Sequence, residues 1–191
     1  MRWPSSSASR RADHGRPVPS AATDRIAIIG CGGSGKTTIG RQLGEFLGVQ
    51  VTHLDVVFYD DDWNTLPKEK FTAIQEDLVA GPQWVIDGNF ASTLPIRLRR
   101  ADTVVFLDLP AITCLWGIAQ RRIRHGGGQN DATGVYDRIH WGFIKYVWKY
   151  RTTMSPRVRA LIDEHAGHAD VYILRSRHAA NRFLAQATAR Q

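Results

Sequence analysis

The first quarter of the sequence contains the glycine-rich segment Gly30-Cys31-Gly32-Gly33-Ser34-Gly35-Lys36-Thr37-Thr38. It matches the phosphate-loop pattern G-x-x-x-x-G-K-[ST]. The glycines allow successive backbone N–H groups to point at one anion, and the helix that follows adds the positive end of its dipole. In such loops the lysine neutralises the β- and γ-phosphates and the hydroxyl binds Mg²⁺. The predicted nucleotide-binding residues are Gly30, Gly32, Gly33, Ser34, Gly35, Lys36, Thr37 and Thr38, and Lys36 is also predicted to be catalytic.

The residues on either side of this loop have the patterns that its mechanism requires. Residues 25–29 form a short apolar run rich in β-branched side chains, which is typical of a buried parallel strand. After the loop, Ile39, Leu43 and Phe46 share one face of a predicted helix, and Gly48 is a suitable end for it. Strand, loop and helix therefore occur in the order of a phosphate-binding β–α unit.

Size and composition indicate one domain. The chain has 191 residues, 43% of them hydrophobic, and a formal net charge of +7, which favours an anionic partner. Residues 1–23 are rich in Ser, Pro and Arg and poor in aliphatic side chains, so we expect a disordered basic tail before a domain at 24–191. The two cysteines have neither metal-ligand nor disulfide-framework spacing, which suits the cytoplasm, and no apolar run is long enough to span a membrane.

Four further apolar runs predict the other strands of a five-stranded parallel sheet with helices on both faces, an α/β three-layer architecture. They cover residues 49–54, 83–86, 102–108 and 169–174. Ligands bind at the carboxyl ends of such strands. Asp55 follows the second strand and is a candidate catalytic base or a cap. Asp87 and Asp108 follow the third and fourth strands, and both are candidates for holding Mg²⁺ beside Thr37.

Arginines and aromatic residues supply the remaining candidate contacts. A predicted helix ends in Arg121 and Arg122 just before a glycine-rich segment, a pattern typical of a mobile lid (about residues 121–138) whose arginines close on phosphate, or of a solvated basic surface. Arg97 is expected to contact a phosphoryl acceptor. The aromatic residues at 58–63 could stack on that acceptor or belong to the core.

A later helix, predicted for residues 136–152, has two distinct faces. Trp141, Ile144 and Trp148 share one face that we expect to be core, and Arg138, Lys145 and Lys149 share another. Pro156 is expected to begin a separate helix. The cationic face and the basic tail together leave open an alternative function, a nucleotide-dependent regulator that binds DNA.

The order of these pieces resembles the adenylate-kinase-like P-loop proteins known as DNA topology modulation, or FlaR-type, proteins. The resemblance covers essentially all of residues 24–184. It rests on the phosphate loop, Leu54-Asp55, Trp84-Val85-Ile86-Asp87-Gly88-Asn89, residues 101–110, Arg121-Arg122, residues 141–151 and Leu174-Arg175-Ser176. It implies a P-loop NTPase fold that binds ATP and Mg²⁺ and has a lid near residues 121–138.

The resemblance also implies roles for particular residues. Asp87-Gly88 is similar to the Asp-Gly of adenylate kinases whose aspartate organises magnesium, which favours Asp87 over Asp108. Arg175 and Ser176 lie where the adenine ring packs in those kinases. Gly117 and Ala91 stand where adenylate kinases have arginines, so adenylate kinase activity itself is not implied.

Together these observations predict an ATP-dependent phosphotransferase, kinase-like and acting on an unidentified small acceptor. Lys36, Asp55, Arg121 and Arg122 are its predicted catalytic residues, and Thr37 and Asp87 its predicted magnesium ligands. An ATPase without an acceptor is a further alternative. No membrane partner is expected.

Overall fold

The computed structural model describes residues 24–59, 64–124 and 141–189. Five strands form one parallel sheet in the order β2-β3-β1-β4-β5. They are β1 (Arg25–Gly30), β2 (Val51–His53), β3 (Trp84–Asp87), β4 (Thr103–Leu107) and β5 (Asp170–Leu174). The helices are α1 (Lys36–Leu47), α2 (Leu54–Phe58), α3 (Lys68–Ala80), α4 (Leu94–Leu98), α5 (Ala111–Arg124), α6 (Trp141–His165) and α7 (Arg177–Thr188). The predicted α/β architecture with a five-stranded parallel sheet is confirmed.

The central strands are buried along nearly their whole length, because helices cover both faces of a parallel sheet. β3 and β4 are buried throughout, and β1 is buried after its first residue. The helices pack in two groups: α1 contacts α7, and in the second group α3 contacts α4, α4 contacts α6, and α6 contacts α5. Because helices cover both faces of the sheet, we expect ligand-binding side chains at the carboxyl ends of the strands.

The position of β1 creates the cleft. The chain leaves β1, forms β2 at one edge, and returns as β3 next to β1, while β4 pairs with the other side of β1. Ile28 is in register with both Asp87 on β3 and Val105 on β4. The chain connections that follow β1 and β3 therefore separate at the carboxyl end of β1. Open α/β sheets bind ligands at such a position.

Two local predictions were wrong. Residues 54–58 form a short helix, α2, although residue 54 was predicted to belong to the preceding strand and no helix was predicted here. Pro156 lies inside α6, which runs unbroken from Trp141 to His165 although an internal proline costs a helix about 3 kcal/mol. Buried side chains on both sides of the proline, Tyr150 before it and Val158 after it, pack into the same core and stabilise the continuous helix.

The exposed face of α6 also differs from the prediction. Trp141 is 73% exposed and Trp148 is 62% exposed, whereas Val147 and Tyr150 are buried. The core face of α6 is therefore rotated away from the tryptophan stripe. The sequence pattern was ambiguous because large apolar side chains lie on both faces.

Several predictions lie outside the described residues. These are the basic tail (1–23), the segment 60–63 that includes Trp63, and most of the predicted lid, including Arg138. Among the residues that are described, no helix has the length and apolarity needed to cross a membrane.

Asp108 connects the end of β4 to α6. Its carboxylate accepts a 2.5 Å hydrogen bond from Arg159 Nη2 and lies 3.9 Å from Arg151 Nε. Asp108 is only 3% exposed. A buried carboxylate needs such partners, and both arginines belong to α6.

We therefore expect Asp108→Asn to lower the free energy of unfolding by about 3 kcal/mol, because it leaves a partly buried guanidinium without its counter-charge. Urea denaturation measures this change. Asp77→Asn, at an exposed position on α3, is the matched control and should change stability by less than about 0.5 kcal/mol. An Asp108→Asn protein as stable as the control would show that the ion pair does not hold α6 to the sheet.

Candidate active site

The phosphate loop is an open backbone turn between β1 and α1. Gly33 and Gly35 have φ angles of +73° and +98°, in the left-handed region that side chains other than glycine rarely adopt. A Cβ atom on Gly35 would meet no atom within 4 Å, so this side of the loop faces open space. The backbone is thus shaped to receive a ligand from the side of Gly35.

The other side of the loop lies directly against α5. A Cβ atom on Gly33 would overlap the carbonyl oxygen of Cys114, and one on Gly117 would overlap the carbonyl oxygen of Gly33. Arg177 approaches the same carbonyl, with its Nη2 3.5 Å from Gly33 O. Gly117 and Arg177 were not predicted as site residues. An isolated glycine inside an otherwise regular helix was the available signal for Gly117.

Lys36 lies across the loop. Its Nζ donates a 3.1 Å hydrogen bond to the carbonyl oxygen of Cys31, and the side chain is buried. This contact holds the ammonium group at the mouth of the glycine-rich turn. A phosphate bound by the loop N–H groups would meet that positive charge.

Thr37 and Asp87 lie in contact at the junction of β1, β3 and α1. Thr37 Oγ1 donates a 3.1 Å hydrogen bond to Asp87 Oδ2, and His53 Nδ1 lies 3.0 Å from the same oxygen. Asp87 is 3% exposed. Of the two aspartates that competed in the sequence, Asp87 lies beside Thr37, whereas Asp108 pairs with arginines of α6.

The oxygen atoms of Thr37 and Asp87 suit a magnesium ion. Mg²⁺ prefers oxygen ligands and is usually held by one or two protein groups together with substrate phosphates and water. Within the described ranges, no group of three or more His, Cys, Asp or Glu residues forms a protein-only metal cage. The pair therefore fits a metal that arrives with a nucleotide better than a permanently bound structural metal.

Asp55 lies in the first turn of α2 and faces the same cleft. Asp55 is exposed to solvent. Desolvation by the surrounding protein raises the pKa of Asp55, and the negative charge of Asp87 raises it further. The positive charges of Lys36 and Arg121 act in the opposite direction. Charged groups from three separate elements, α1, β3 and α5, therefore act on this carboxylate.

The predicted arginines of α5 differ in their surroundings. Arg121 is half-buried and its charge acts on Asp55, whereas Arg122 is exposed in the last turn of the helix. The structure thus brings Arg121 to the cleft. A role for Arg122 on phosphate stays a prediction.

Arg175 and Ser176 lie at the carboxyl end of β5. Ser176 is the N-cap residue of α7, and its Oγ accepts a 3.1 Å hydrogen bond from the backbone N–H of Ala179. This N-cap occupies the hydroxyl. The predicted packing of an adenine ring on this segment stays a prediction.

A hydrogen-bonded network that sequence reasoning missed closes another side of the cleft. Asn89 Nδ2 donates to Tyr146 Oη at 2.7 Å, and Tyr150 Oη donates to Asn89 Oδ1 at 2.9 Å. The Tyr146 ring stacks on Phe143, whose ring in turn lies against Gly32 of the loop. Burial raises the pKa of Tyr146 to about 12, with Asp55 contributing. The first turns of α6 therefore connect the loop to the residues that follow β3.

The aromatic residue Phe58 belongs to a packed cluster. Its ring centroid lies 4.8 Å from those of Phe71 and Phe90. Phe71 is buried, so the cluster is part of the core. Of the two alternatives left open by the sequence, this geometry favours core packing for Phe58.

Arg97 is completely buried, contrary to the expectation that it contacts an acceptor. Its exposed fraction is 0%, and Nη1 donates a 2.8 Å hydrogen bond to Gly88 O. A molecule in the cleft cannot touch this guanidinium in the observed conformation. The burial of Arg97 was not predicted, because arginines are rarely buried without an adjacent carboxylate.

The fold is similar to that of shikimate kinases. The shikimate kinase from Acinetobacter baumannii, solved in complex with shikimate, is 21% identical, with 85% of this chain and 89% of that chain covered and a TM-score of 0.56. The shikimate kinase from Bacteroides thetaiotaomicron is 17% identical, with 85% and 95% covered and a TM-score of 0.50. At these identities the likeness shows the P-loop NTPase fold, as predicted.

Curated relatives match part of the chain in sequence. Threonine synthase-like 1 from Mus musculus is 26% identical over 151 residues, covering 69% of this chain and 20% of the relative. The Homo sapiens protein of the same name is 24% identical over 129 residues, covering 60% and 17%. The chain thus spans about a fifth of the length of these relatives. No family model matches the sequence.

The close packing of α5 on the phosphate loop makes a testable prediction. Gly117→Ala should displace the loop, because the new methyl group overlaps the Gly33 carbonyl, and should weaken ATP binding by at least about tenfold, or 1.4 kcal/mol. Isothermal titration calorimetry measures the Kd. Gly167→Ala, where the added Cβ meets nothing within 4 Å, is the control for substituting a glycine. Equal ATP affinity in both variants would contradict the prediction.

Proposed function

We propose that this protein is an ATP- and Mg²⁺-dependent phosphotransferase, a small-molecule kinase that acts on a hydroxyl or phosphate acceptor. One observation carries the proposal. Around the loop, a lysine, a Thr–Asp oxygen pair and a carboxylate of raised pKa converge at one edge of the sheet. Phosphoryl transfer needs these three parts, namely a cation on the phosphates, ligands for the metal, and a base for the acceptor.

The reaction is an in-line displacement at the γ-phosphorus of ATP. The acceptor oxygen forms a bond to phosphorus while the bond to the β,γ-bridging oxygen breaks, and ADP leaves with that electron pair. Asp55 accepts the proton of an acceptor hydroxyl and later releases it to solvent. Lys36 and Arg121 stabilise the negative charge that spreads over the transferring group.

Thr37 and Asp87 would hold magnesium. When bound with ATP, the ion would neutralise part of the phosphate charge. The Thr37–Asp87 contact exists in the protein alone, so the two oxygens are already close together. Preorganisation of this kind lowers the cost of assembling the site.

The comparisons support a kinase and leave its acceptor open. The similar structures carry the name shikimate kinase, and one of them is described in complex with shikimate. We propose a small hydroxylated molecule as the acceptor class, in keeping with the carboxylate base. The resemblance to FlaR-type proteins adds no acceptor, and a cytoplasmic location stays a prediction.

The assignment of Asp55 as the base predicts a specific loss. Asp55→Asn should lower acceptor-dependent kcat by about 10²- to 10⁴-fold, the usual contribution of general acid–base catalysis. ATP affinity should stay within about threefold, because Asp55 does not belong to the loop. The measurement is ADP release with a panel of nucleosides, nucleoside monophosphates and hydroxylated metabolites.

Asp77→Asn on the exposed face of α3 is the control and should leave turnover unchanged. An Asp55→Asn enzyme that retains full turnover would show that Asp55 is not the base. ATP hydrolysis at the same rate with and without every acceptor would instead indicate an ATPase.

The raised pKa of Asp55 makes a prediction about pH. The base must be a carboxylate, so kcat/KM should fall as the pH decreases through the pKa of Asp55. Because desolvation raises that pKa, the fall should begin above the range of an ordinary aspartate, about pH 4. A kcat/KM profile that stays flat down to pH 4 in a folded protein would contradict it.

Nucleic-acid binding is a second candidate function, favoured by the exposed face of α6. Trp141 and Trp148 are exposed there together with Lys145 and Lys149, and bases stack on such aromatic side chains beside cations. A gel shift at low salt tests it. Binding should weaken steeply as salt increases, and no shift at low salt would reject this function.

A further inference from the structure

Arg97 is the largest of the completely buried side chains in the described parts of the chain. It lies on α4, the short helix that follows β3, and its guanidinium extends toward the Asp87–Gly88 turn. Nη1 donates a 2.8 Å hydrogen bond to Gly88 O. Nε and Nη2 are buried without a hydrogen-bond partner among the described residues.

A buried cation with two unused donors is costly, so its position needs an explanation. Burial lowers the pKa of Arg97 to about 10, while the charges of Asp87 and Asp55 act to raise it. The guanidinium therefore stays charged at neutral pH. Those two carboxylates are its main electrostatic compensation, although neither forms a direct ion pair with it.

We propose that Arg97 is a positioning residue for phosphoryl transfer. Its hydrogen bond to Gly88 O fixes the Asp87–Gly88–Asn89 turn, and its guanidinium supplies a fixed positive charge that acts on Asp87 and Asp55. This inference rests on the proposed function and deepens it. Arg97 does not touch substrate, because none of its surface is exposed. It acts through the residues of the cleft.

The turn that Arg97 holds has three separate connections. Gly88 N–H donates to Ile28 O of β1 at 3.1 Å, which places the turn beside the phosphate loop. Asp87 contacts Thr37, and Asn89 joins the tyrosines of α6. A shift of the Gly88 carbonyl would therefore move the predicted metal ligand and one wall of the cleft together.

Two substitutions separate charge from hydrogen bonding. Arg97→Lys keeps the positive charge and can donate to Gly88 O, whereas Arg97→Gln keeps an N–H donor but removes the charge. We expect Arg97→Gln to lower turnover by about 10- to 100-fold, as losses in the layer behind a reactive site do. Arg97→Lys should restore turnover to within about fivefold of the wild type. The Kd for ATP should stay within about threefold in both, because the loop is untouched.

Arg99→Gln is the matched control, since Arg99 lies two residues further along the chain and is exposed. It should leave turnover and stability unchanged. A merely structural role for Arg97 predicts that the two Arg97 variants lose turnover equally, in proportion to their loss of Tm. That result, or full turnover in Arg97→Gln, would overturn the proposal. If Arg97→Gln does not fold, the test is Arg97→Lys: a folded protein with more than about 100-fold loss of turnover would overturn it.

The same variants keep this inference distinct from the proposed function. Turnover is measured both with the acceptor panel and as basal ATP hydrolysis, in which water replaces the acceptor. If no acceptor is phosphorylated but the wild type hydrolyses ATP, the kinase proposal fails. The role of Arg97 is then tested by the rate of ATP hydrolysis, with the same expected losses for Arg97→Gln and Arg97→Lys. A wild-type protein that neither binds nor hydrolyses ATP would overturn both.

Discussion

The parallel pairing of β1 with β3 is the constraint on which the site depends. It places Asp87 in register with Ile28, two residues before the phosphate loop begins at Gly30. Because α1 starts directly after the loop, its second residue, Thr37, reaches back to the end of β3 and contacts Asp87. β2 pairs with the outer side of β3 and delivers His53 to the same carboxylate. These two pairings therefore bring together Thr37, His53 and Asp87, which lie on three separate segments of the chain.

Buried charge distinguishes two aspartates that look equivalent in the sequence. Asp87 and Asp108 end strands on opposite sides of β1, and each is 3% exposed. Asp108 forms an ion pair with Arg159 of α6, and this pair joins the end of β4 to that helix. Asp87 instead accepts hydrogen bonds from the Thr37 hydroxyl and the His53 imidazole, and the charge of Arg97 acts on it without a direct ion pair. Its carboxylate therefore retains the capacity to interact with a cation.

Patterns of neighbouring residues in the sequence predicted the elements whose structure depends on those neighbouring residues. The β1–loop–α1 unit, the five strands and the position of Asp55 follow from apolar runs and from residues that come after them. The burial of Arg97, the contact of Gly117 with the loop and the Asn89–Tyr146 network involve segments far apart in the chain, and no local pattern contains them. The helix through Pro156 shows the same limit, because packing on both sides of the proline outweighs its local preference to start a new helix.

We propose that the loop, the Thr37–Asp87 pair and Asp55 form a single phosphoryl-transfer site. A crystal structure with Mg²⁺ and a non-hydrolysable ATP analogue would test this arrangement. We expect the β- and γ-phosphates in the loop beside Lys36, magnesium at about 2.1 Å from Thr37 Oγ1 on the side of Asp87, and the γ-phosphate facing Asp55. A nucleotide bound away from the loop, or a γ-phosphate turned away from Asp55, would contradict it.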